Sequence, residues 1–413
     1  MGACGRPHNR GMQKSGMQKN TQAVLIAGGG IGGLAAAIGA ARAGCAVRLF
    51  EQAPAFGEVG AGVQLGPNAV RRLRDWGLQG ALDAVAAFPD RLQVRSALTG
   101  AELAALPLGA DILTRYGAAY ATIHRADLHG LLLASAQSQA DLRWHLADAV
   151  ADHRQSEGGV ALTLASGVAV TGDLLIGADG LRSVTRARML GAEPTRSAGH
   201  LAYRAVVRQA DLPAGLRTAR VTAWLGPRLH VVQYPLRRGE LMNVVAIRHG
   251  TPPANLEGWD HAANAADLES ALAGTCAALQ EMVRAVPQAG SGWRLWPLSD
   301  RPPVRGPLDI ARGRVALLGD AAHPMRPYLA QGAGMAIEDA AALQVALALA
   351  GVPVADRLQH YARQRWRRVA RVQERARRNG RIFHAMGLVR WGRDWSLRLA
   401  GGRLLDLPWL YGY

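Results

Sequence analysis

Lysine is almost absent from this chain. Among 413 residues, 48 are basic, and only Lys14 and Lys19 are lysines; the rest are arginines. Cysteine is scarce as well, and Cys4, Cys45 and Cys276 lie far apart, so neither a disulfide framework nor a paired-cysteine zinc site is expected. The histidines are scattered without ligand spacing, so no metal centre is expected. No apolar run reaches the roughly 18–20 residues of a membrane span without a better local explanation. The first twenty residues lack the apolar stretch of a signal peptide, which points to a disordered tail on a cytoplasmic protein. Gly 49 and Pro 20 follow no period, which excludes collagen-like and linker-like chains.

What is present suits a globular enzyme. Hydrophobic residues make up 49% and the mean hydropathy is +0.00. The length favours two domains, or one interrupted by another. Acidic residues number 31, which leaves a net charge of +17. A nucleic-acid partner is one reading of that excess. Its distribution argues otherwise: the densest run, Arg363 to Arg381, fits one surface helix, and the other arginines are spread thinly. Anionic small substrates fit the positive field better.

Along the chain, Ala23–Ala27 reads as a strand that turns into Gly28-Gly29-Gly30-Ile31-Gly32-Gly33. A helix is expected over Ile31–Ala43, then a strand over Ala46–Phe50 that ends in Glu51. Further helices are expected over Pro67–Asp75, 126–150 with a break near Ser138, Asn255–Val286 ending at Pro287, Gly334–Ala350, and beyond Val354. Buried strands are expected over Asp173–Ile176 and Arg314–Leu318. Between residues 200 and 250, short β-rich runs suggest a sheet with one polar face.

Gly28, Gly30 and Gly33 have the spacing of a dinucleotide-binding turn. Glycines let the backbone approach a pyrophosphate, whose charge then meets a helix N-terminus. Glu51 is placed to accept hydrogen bonds from a ribose diol and disfavours a 2′-phosphate, so FAD or NAD is expected, not NADP. Asp320 ends a strand beside the first, where its carboxylate can take a ribitol or ribose hydroxyl. Gly332, Ala333 and Gly334 open a helix whose N–H groups can stabilise negative charge.

Four segments carry a resemblance. They are Gly57 to Leu65 with Pro67-Asn68-Ala69; His124 to Leu128; Gly177-Ala178-Asp179-Gly180 with Arg182-Ser183; and Gly319 to Pro324 continuing to Gln331–Gly334 and Ile337–Ala340. With the glycine turn they resemble the class A FAD-dependent aromatic monooxygenases, in the salicylate and 3-hydroxybenzoate hydroxylase branch. The resemblance spans about residues 22–413.

It implies an α/β fold with a Rossmann-like FAD-binding domain, an inserted β-sheet substrate domain and C-terminal helices. The FAD-binding parts would be residues 22–90, 116–190 and 299–355; the substrate domain 91–115 and 191–298; the tail 1–21; and the C-terminal helical region 356–413. Gln52, Val63, Arg125 and Asp179 would join the glycines, Glu51 and Asp320 around FAD. Arg125 could instead pair with Asp127, and Arg182 with Asp179; His323 could face the flavin or cap a carbonyl.

His230 and Tyr234 are four apart in a strand and so share a face. By resemblance His230 takes a phenol proton and Tyr234 orients the ring. An imidazole near its ordinary pKa of about 6.5 would suit that transfer. Gln64, Tyr203, Arg326 and Tyr328 would complete the substrate pocket, although Arg326 could simply face solvent.

The implied reaction consumes NADH, or NADPH, and O2 through a C4a-hydroperoxyflavin. Pro327, after the Asp320–Pro324 run, tips the expectation towards salicylate, giving catechol and CO2. The alternatives are 3-hydroxybenzoate 6-hydroxylation, 6-hydroxynicotinate 3-hydroxylation, and an FAD oxidase or dehydrogenase without oxygen insertion. The expected partners are a small aromatic acid and, if anything, a second copy of the chain; neither nucleic acid nor membrane is expected.

Overall fold

Ala23–Ala27 (β1) and Ala46–Phe50 (β2) pair in parallel across the helix Ile31–Arg42 (α1), as the strand-helix-strand order requires. The structure, a computed structural model, describes residues 22–57, 61–251, 261–262, 265–289 and 292–413. The N-terminal tail with Cys4, and the Glu58-Val59-Gly60 part of the second motif, lie outside the described residues.

The chain continues through β3 (Gly62–Leu65), α2 (Pro67–Asp75), α3 (Gln79–Val85), β4 (Arg91–Ser96), β5 (Glu102–Pro107) and α4 (Gly109–Tyr116). Next come β6 (Ala121–His124), α5 (Arg125–Gln137), β7 (Leu142–His145), β8 (Val150–Gln155), β9 (Val160–Leu164), β10 (Ala169–Gly172) and β11 (Leu174–Gly177). They are followed by α6 (Val184–Leu190), β12 (Arg196–Arg208), β13 (Val221–Gly226), β14 (Leu229–Leu236) and β15 (Leu241–His249). Then come β16 (His261–Ala262), α7 (Ala265–Leu272), α8 (Ala277–Ala289) and β17 (Arg294–Asp300). The final elements are β18 (Ala311–Arg312), β19 (Val315–Leu317), α9 (Gly332–Leu347), α10 (Val354–Phe383) and α11 (Gly387–Ala400).

One sheet has the order β18-β19-β11-β1-β2-β7. Its two faces follow strand parity. Val24, Ile26, Val47, Leu49, Leu174 and Ile176 pack under α1, α5 and α9, while Leu25, Phe50, Leu175 and Leu317 pack on the β8–β10 ribbon. A larger sheet, β16-β17-β12-β15-β14-β13-β4-β5, is inserted into it. On its outer face Trp224, Leu229, Val231 and Val244 are sealed by Leu268, Leu279 and Met282 of α7 and α8.

Several elements differ from their sequence reading. The helix expected over 126–150 stops at Gln137, and Leu142–His145 is a strand that pairs in parallel with β2. Periodicity alone hides such a short edge strand behind a good helix former. The helix expected from Asn255 begins outside the described residues; within them it is two helices, and Pro287 sits inside α8 instead of ending it. The polar face expected of the inserted sheet is its inner one, where His200, Arg204, His230 and Tyr234 point inward. Trp391 and Trp395 stay exposed on α11 beside Leu388 and Leu399, whereas Trp409 packs on the core beneath Arg371.

The basic run is not merely a surface helix. Arg365 of α10 is wholly buried and binds Asp339 at 2.7 Å and Glu338 at 2.8 Å. Arg368 grips Glu338 at 2.6 and 2.7 Å. Asn68 of α2 donates to the same glutamate at 2.7 Å, and His323 bonds Asp339 at 2.6 Å. His323 therefore gives its Nε2 to Asp339 and not to a carbonyl. Burial raises both carboxyls, but His323 and Arg365 bring Asp339 down to about 2, and Arg365 and Arg368 lower Glu338.

Replacing Arg365 with methionine would leave His323 and the Gly319 N–H to Asp339, and Arg368 and Asn68 to Glu338. A loss of about 3–5 kcal/mol is expected, measurable by denaturant unfolding. Because Asp339 is depressed from 3.8 to about 2 in the folded chain, its contribution is fully present above about pH 4 and is lost as pH falls towards 2. Acid titration of stability should show that loss in the wild type and less of it in Arg365→Met.

Candidate active site

The C-terminal ends of β1, β2, β11 and β19 lie side by side, where ligands bind in sheets of this kind. The turn after β1 is tight. A Cβ on Gly33 would stand 1.9 Å from the Gly28 carbonyl oxygen, and Gly28 itself has φ of +99°. Both positions therefore require glycine. Glu51, at the tip of β2, accepts from the backbone N–H of Gly29 at 2.7 Å and of Ala53 at 2.9 Å, which fixes its carboxylate beside the turn. Gln52 is exposed next to it. Helix α1 starts at Gly30 without a side-chain cap, and so does α9, whose first turn holds Gly332, Ala333 and Gly334. Two uncapped helix N-termini and a bare glycine turn suit a dinucleotide.

Asp320 reaches solvent through this cleft, yet lies deep enough that burial pushes its carboxyl up, with His323 and Arg125 pulling the other way. The Arg125 charge also acts on Arg204, an inward residue of β12. Arg204 stacks 5.4 Å over Trp296, and its buried Nε finds no hydrogen-bond acceptor among the described residues. A buried N–H of that kind calls for a ligand acceptor. On these grounds the residues fit FAD: Gly28, Gly30, Gly33 and Glu51 would hold its adenosine and pyrophosphate end, Asp320 and Arg125 would lie along it, and the start of α9 would meet its ring end.

Tyr234 lies beside the side-chain amides of Gln64 and Asn243, and burial pushes its phenol up. Gln64 also accepts from Tyr120 at 2.7 Å, and neighbouring Val63 pairs with Ile123 on β6. His230 sits on the same face, about 13 Å further along β14. It is buried, and burial followed by His200 holds its imidazole down to about 3. The expectation of an imidazole near 6.5 is thus corrected: the ring is neutral at ordinary pH. Tyr328 completes this end, with its ring 5.2 Å from that of His230 and its hydroxyl 2.5 Å from His200 Nδ1.

Three assignments are corrected. Tyr203 has the opposite strand parity to His200 and Arg204, so it faces α7, where its hydroxyl donates to Asp267 at 2.7 Å. A one-residue step in a strand reverses the face. Arg326 is held by Asp300 at 2.8 Å, which Arg377 also binds at 3.1 Å, so its charge is paired within the protein instead of standing free for a substrate carboxylate. Asp179 accepts from Ser183 Oγ at 2.5 Å and from the Thr185 N–H and hydroxyl at 3.0 Å, so it braces the start of α6 in place of binding a nucleotide. Asp127 pairs bidentately with Arg237 at 2.9 Å.

Sequence reading overlooked Arg204, Asn243 and a group of histidines. A charge inside Leu201–Val207, on the parity of His200, was the available signal for Arg204. The histidines, expected to stay scattered, come together: His200 and His249 are cross-strand partners, and His384 at the end of α10 meets both them and His230.

The fold and this site define a flavoprotein built to hold FAD beside an inserted sheet. The family model described as FAD binding domain matches residues 21–376. The 3-hydroxybenzoate 6-hydroxylase of Polaromonas naphthalenivorans (strain CJ2) is 38% identical over 393 residues, covering 94% of this chain and 96% of that protein. HpxO of Klebsiella pneumoniae, solved with FAD and uric acid, superposes with a TM-score of 0.82 at 27% identity over 94% of this chain and 95% of its own. A salicylate hydroxylase substrate complex gives 0.79 at 26% identity over 96% of both chains. The chain belongs to the class A FAD-dependent aromatic monooxygenases, in the branch of the salicylate and 3-hydroxybenzoate hydroxylases.

Gly33→Ala should yield protein with little or no bound flavin, because the new methyl collides with backbone at 1.9 Å. Gly130→Ala in α5, with nothing within 4 Å of its Cβ, should keep its FAD. The ratio of flavin to protein absorbance after gel filtration checks both.

Proposed function

We propose that this flavoenzyme uses NADH and O2 to hydroxylate a hydroxybenzoate-type acid, with 3-hydroxybenzoate going to 2,5-dihydroxybenzoate as its leading reaction. The observation that carries the reading is the inward pair His230 and Tyr234 with Val232 between them: a polar group at each end of an apolar strip about 13 Å long. A hydroxybenzoate has the matching pattern of polar ends on an apolar ring. The 38% identity to a 3-hydroxybenzoate 6-hydroxylase supports that substrate above salicylate, whose structural counterpart is 26% identical.

Bound FAD supplies the electrons taken from NADH and the activation of O2. The chain does the rest. His230, neutral and buried, accepts a hydrogen bond from the phenol O–H, which raises electron density on the ring carbon para to oxygen. Tyr234, with Gln64 and Asn243 behind it, orients the ring. Arg204 supplies positive charge for the carboxylate on the same face. The apolar strip excludes water from the reacting carbon. The domain boundaries set out from the sequence remain our proposal for the chain's division.

Salicylate is the second reading, favoured by Pro327 before Tyr328. There, attack at the carboxyl-bearing carbon expels CO2 and leaves catechol. The test is NADH oxidation by the FAD-loaded protein with hydroxybenzoates and 6-hydroxynicotinate, with products identified by mass. We expect 2,5-dihydroxybenzoate from 3-hydroxybenzoate. Catechol from salicylate would put the second reading first, and NADH loss that yields only peroxide with every compound would sink both. An oxidase or dehydrogenase would return a product without added oxygen.

His230→Gln should lower kcat by roughly 10²–10⁴-fold with FAD retained. Tyr203→Phe, on the outer face, should cost about 1 kcal/mol of stability through its lost hydrogen bond to Asp267 and leave kcat within about threefold. Steady-state kinetics of the two variants side by side separates the faces of the sheet.

A further inference from the structure

His200 on β12, His249 on β15 and His384 after α10 each offer a ring nitrogen, and these nitrogens lie within 4.8 Å of one another. The rings of His200 and His249 are 4.4 Å apart, and His384 closes the group at 5.0 and 4.9 Å. We infer that this cluster binds one borderline-soft divalent transition ion, of the zinc class, through His200, His249 and His384.

The donor set selects the ion. Three neutral imidazoles suit zinc and its neighbours and not the oxygen-seeking magnesium or calcium. Outer contacts are already in place. The Tyr328 hydroxyl lies 2.5 Å from His200 Nδ1, and His230 Nδ1 lies 2.7 Å from His384 Nε2. Ligating histidines are held in this way through their remote ring nitrogen. That leaves His384 Nδ1, which stands 3.0 Å from His249 Nε2. Nitrogens at about 2.0–2.1 Å from a tetrahedral zinc are about 3.3 Å apart, so an ion can replace the proton shared by His249 and His384 with a shift of a few tenths of an ångström, and the His200 nitrogen closes on it from within 4.8 Å.

Arg228 and Arg393 oppose a bare cation near this end, so affinity has to come from the coordination bonds themselves. The bound ion pins the end of α10 to two strands of the inserted sheet. It also fixes His384, the partner of His230. Only that last consequence rests on the hydroxylase reading; the site itself does not.

The test uses FAD-loaded protein stripped with a chelator and dialysed. Zn2+ titrated against a chromophoric competitor should fill one site tighter than about 1 μM. His249→Gln and His384→Gln should abolish that site, Tyr328→Phe should weaken it by roughly 10–100-fold, and His360→Ala on the exposed side of α10 should leave it unchanged. Cu2+ on the wild type should show electron paramagnetic resonance couplings to several imidazole nitrogens, a readout that needs no variant to fold. Absence of a saturable site, a site that survives both glutamine variants, or Cu2+ without multiple nitrogen couplings would overturn the proposal. Activity enters none of these readings, so a failed metal site and a failed hydroxylase assignment remain separate results.

Discussion

Burying two carboxylates next to each other in the sequence is untenable without a cation, and Arg365 is the cation on which this architecture turns. Its guanidinium spans Glu338 and Asp339, so α10 docks on α9 in one register. The carboxylates pass the constraint on. Glu338 holds Asn68, which in turn donates to Gln331 at the start of α9 at 3.0 Å. Asp339 accepts the Gly319 N–H at 3.1 Å and bonds His323, on either side of Asp320. The helix start and the carboxylate that would meet the flavin are thus set by one buried ion cluster, while the polar groups that would meet the substrate lie on a different sheet.

That second sheet is governed by parity. With α7 and α8 on one side and the FAD-binding half on the other, each strand residue is assigned to a structural or a chemical face with no intermediate. His200, Arg204, His230, Tyr234, Asn243 and His249 share the inner face, and Tyr203 and Arg248 do not. The inner face carries histidines at the α10 end and amides at the β3 end, with Arg204 level with the apolar Val232 and Val245 between them.

The glycine turn, Glu51 and the strand-helix-strand unit were legible in the sequence because each is local: a few consecutive residues meet a backbone requirement that only they satisfy. The apolar runs of β12 to β15 were legible as strands for the same reason. Apart from the short strand β7 and the parity of Tyr203, the misreadings concern long-range partners. Nothing near Arg326 in sequence shows that Asp300 will take its charge, and nothing near His323 shows Asp339. The three histidines are separated by scores of residues and meet only because β12 pairs with β15 and α10 ends above them. Arg365 looked like one arginine among many on a polar helix; its burial depends on acids on another helix.

Flavin-dependent hydroxylation puts an atom of dioxygen into an aromatic ring. The most direct measurement is a single turnover with FAD-loaded protein, NADH, 3-hydroxybenzoate and dioxygen enriched in heavy oxygen, followed by mass analysis of the product. The expected product is a dihydroxybenzoate carrying one labelled oxygen per molecule. An unlabelled product, or labelled peroxide beside unchanged substrate, would contradict it.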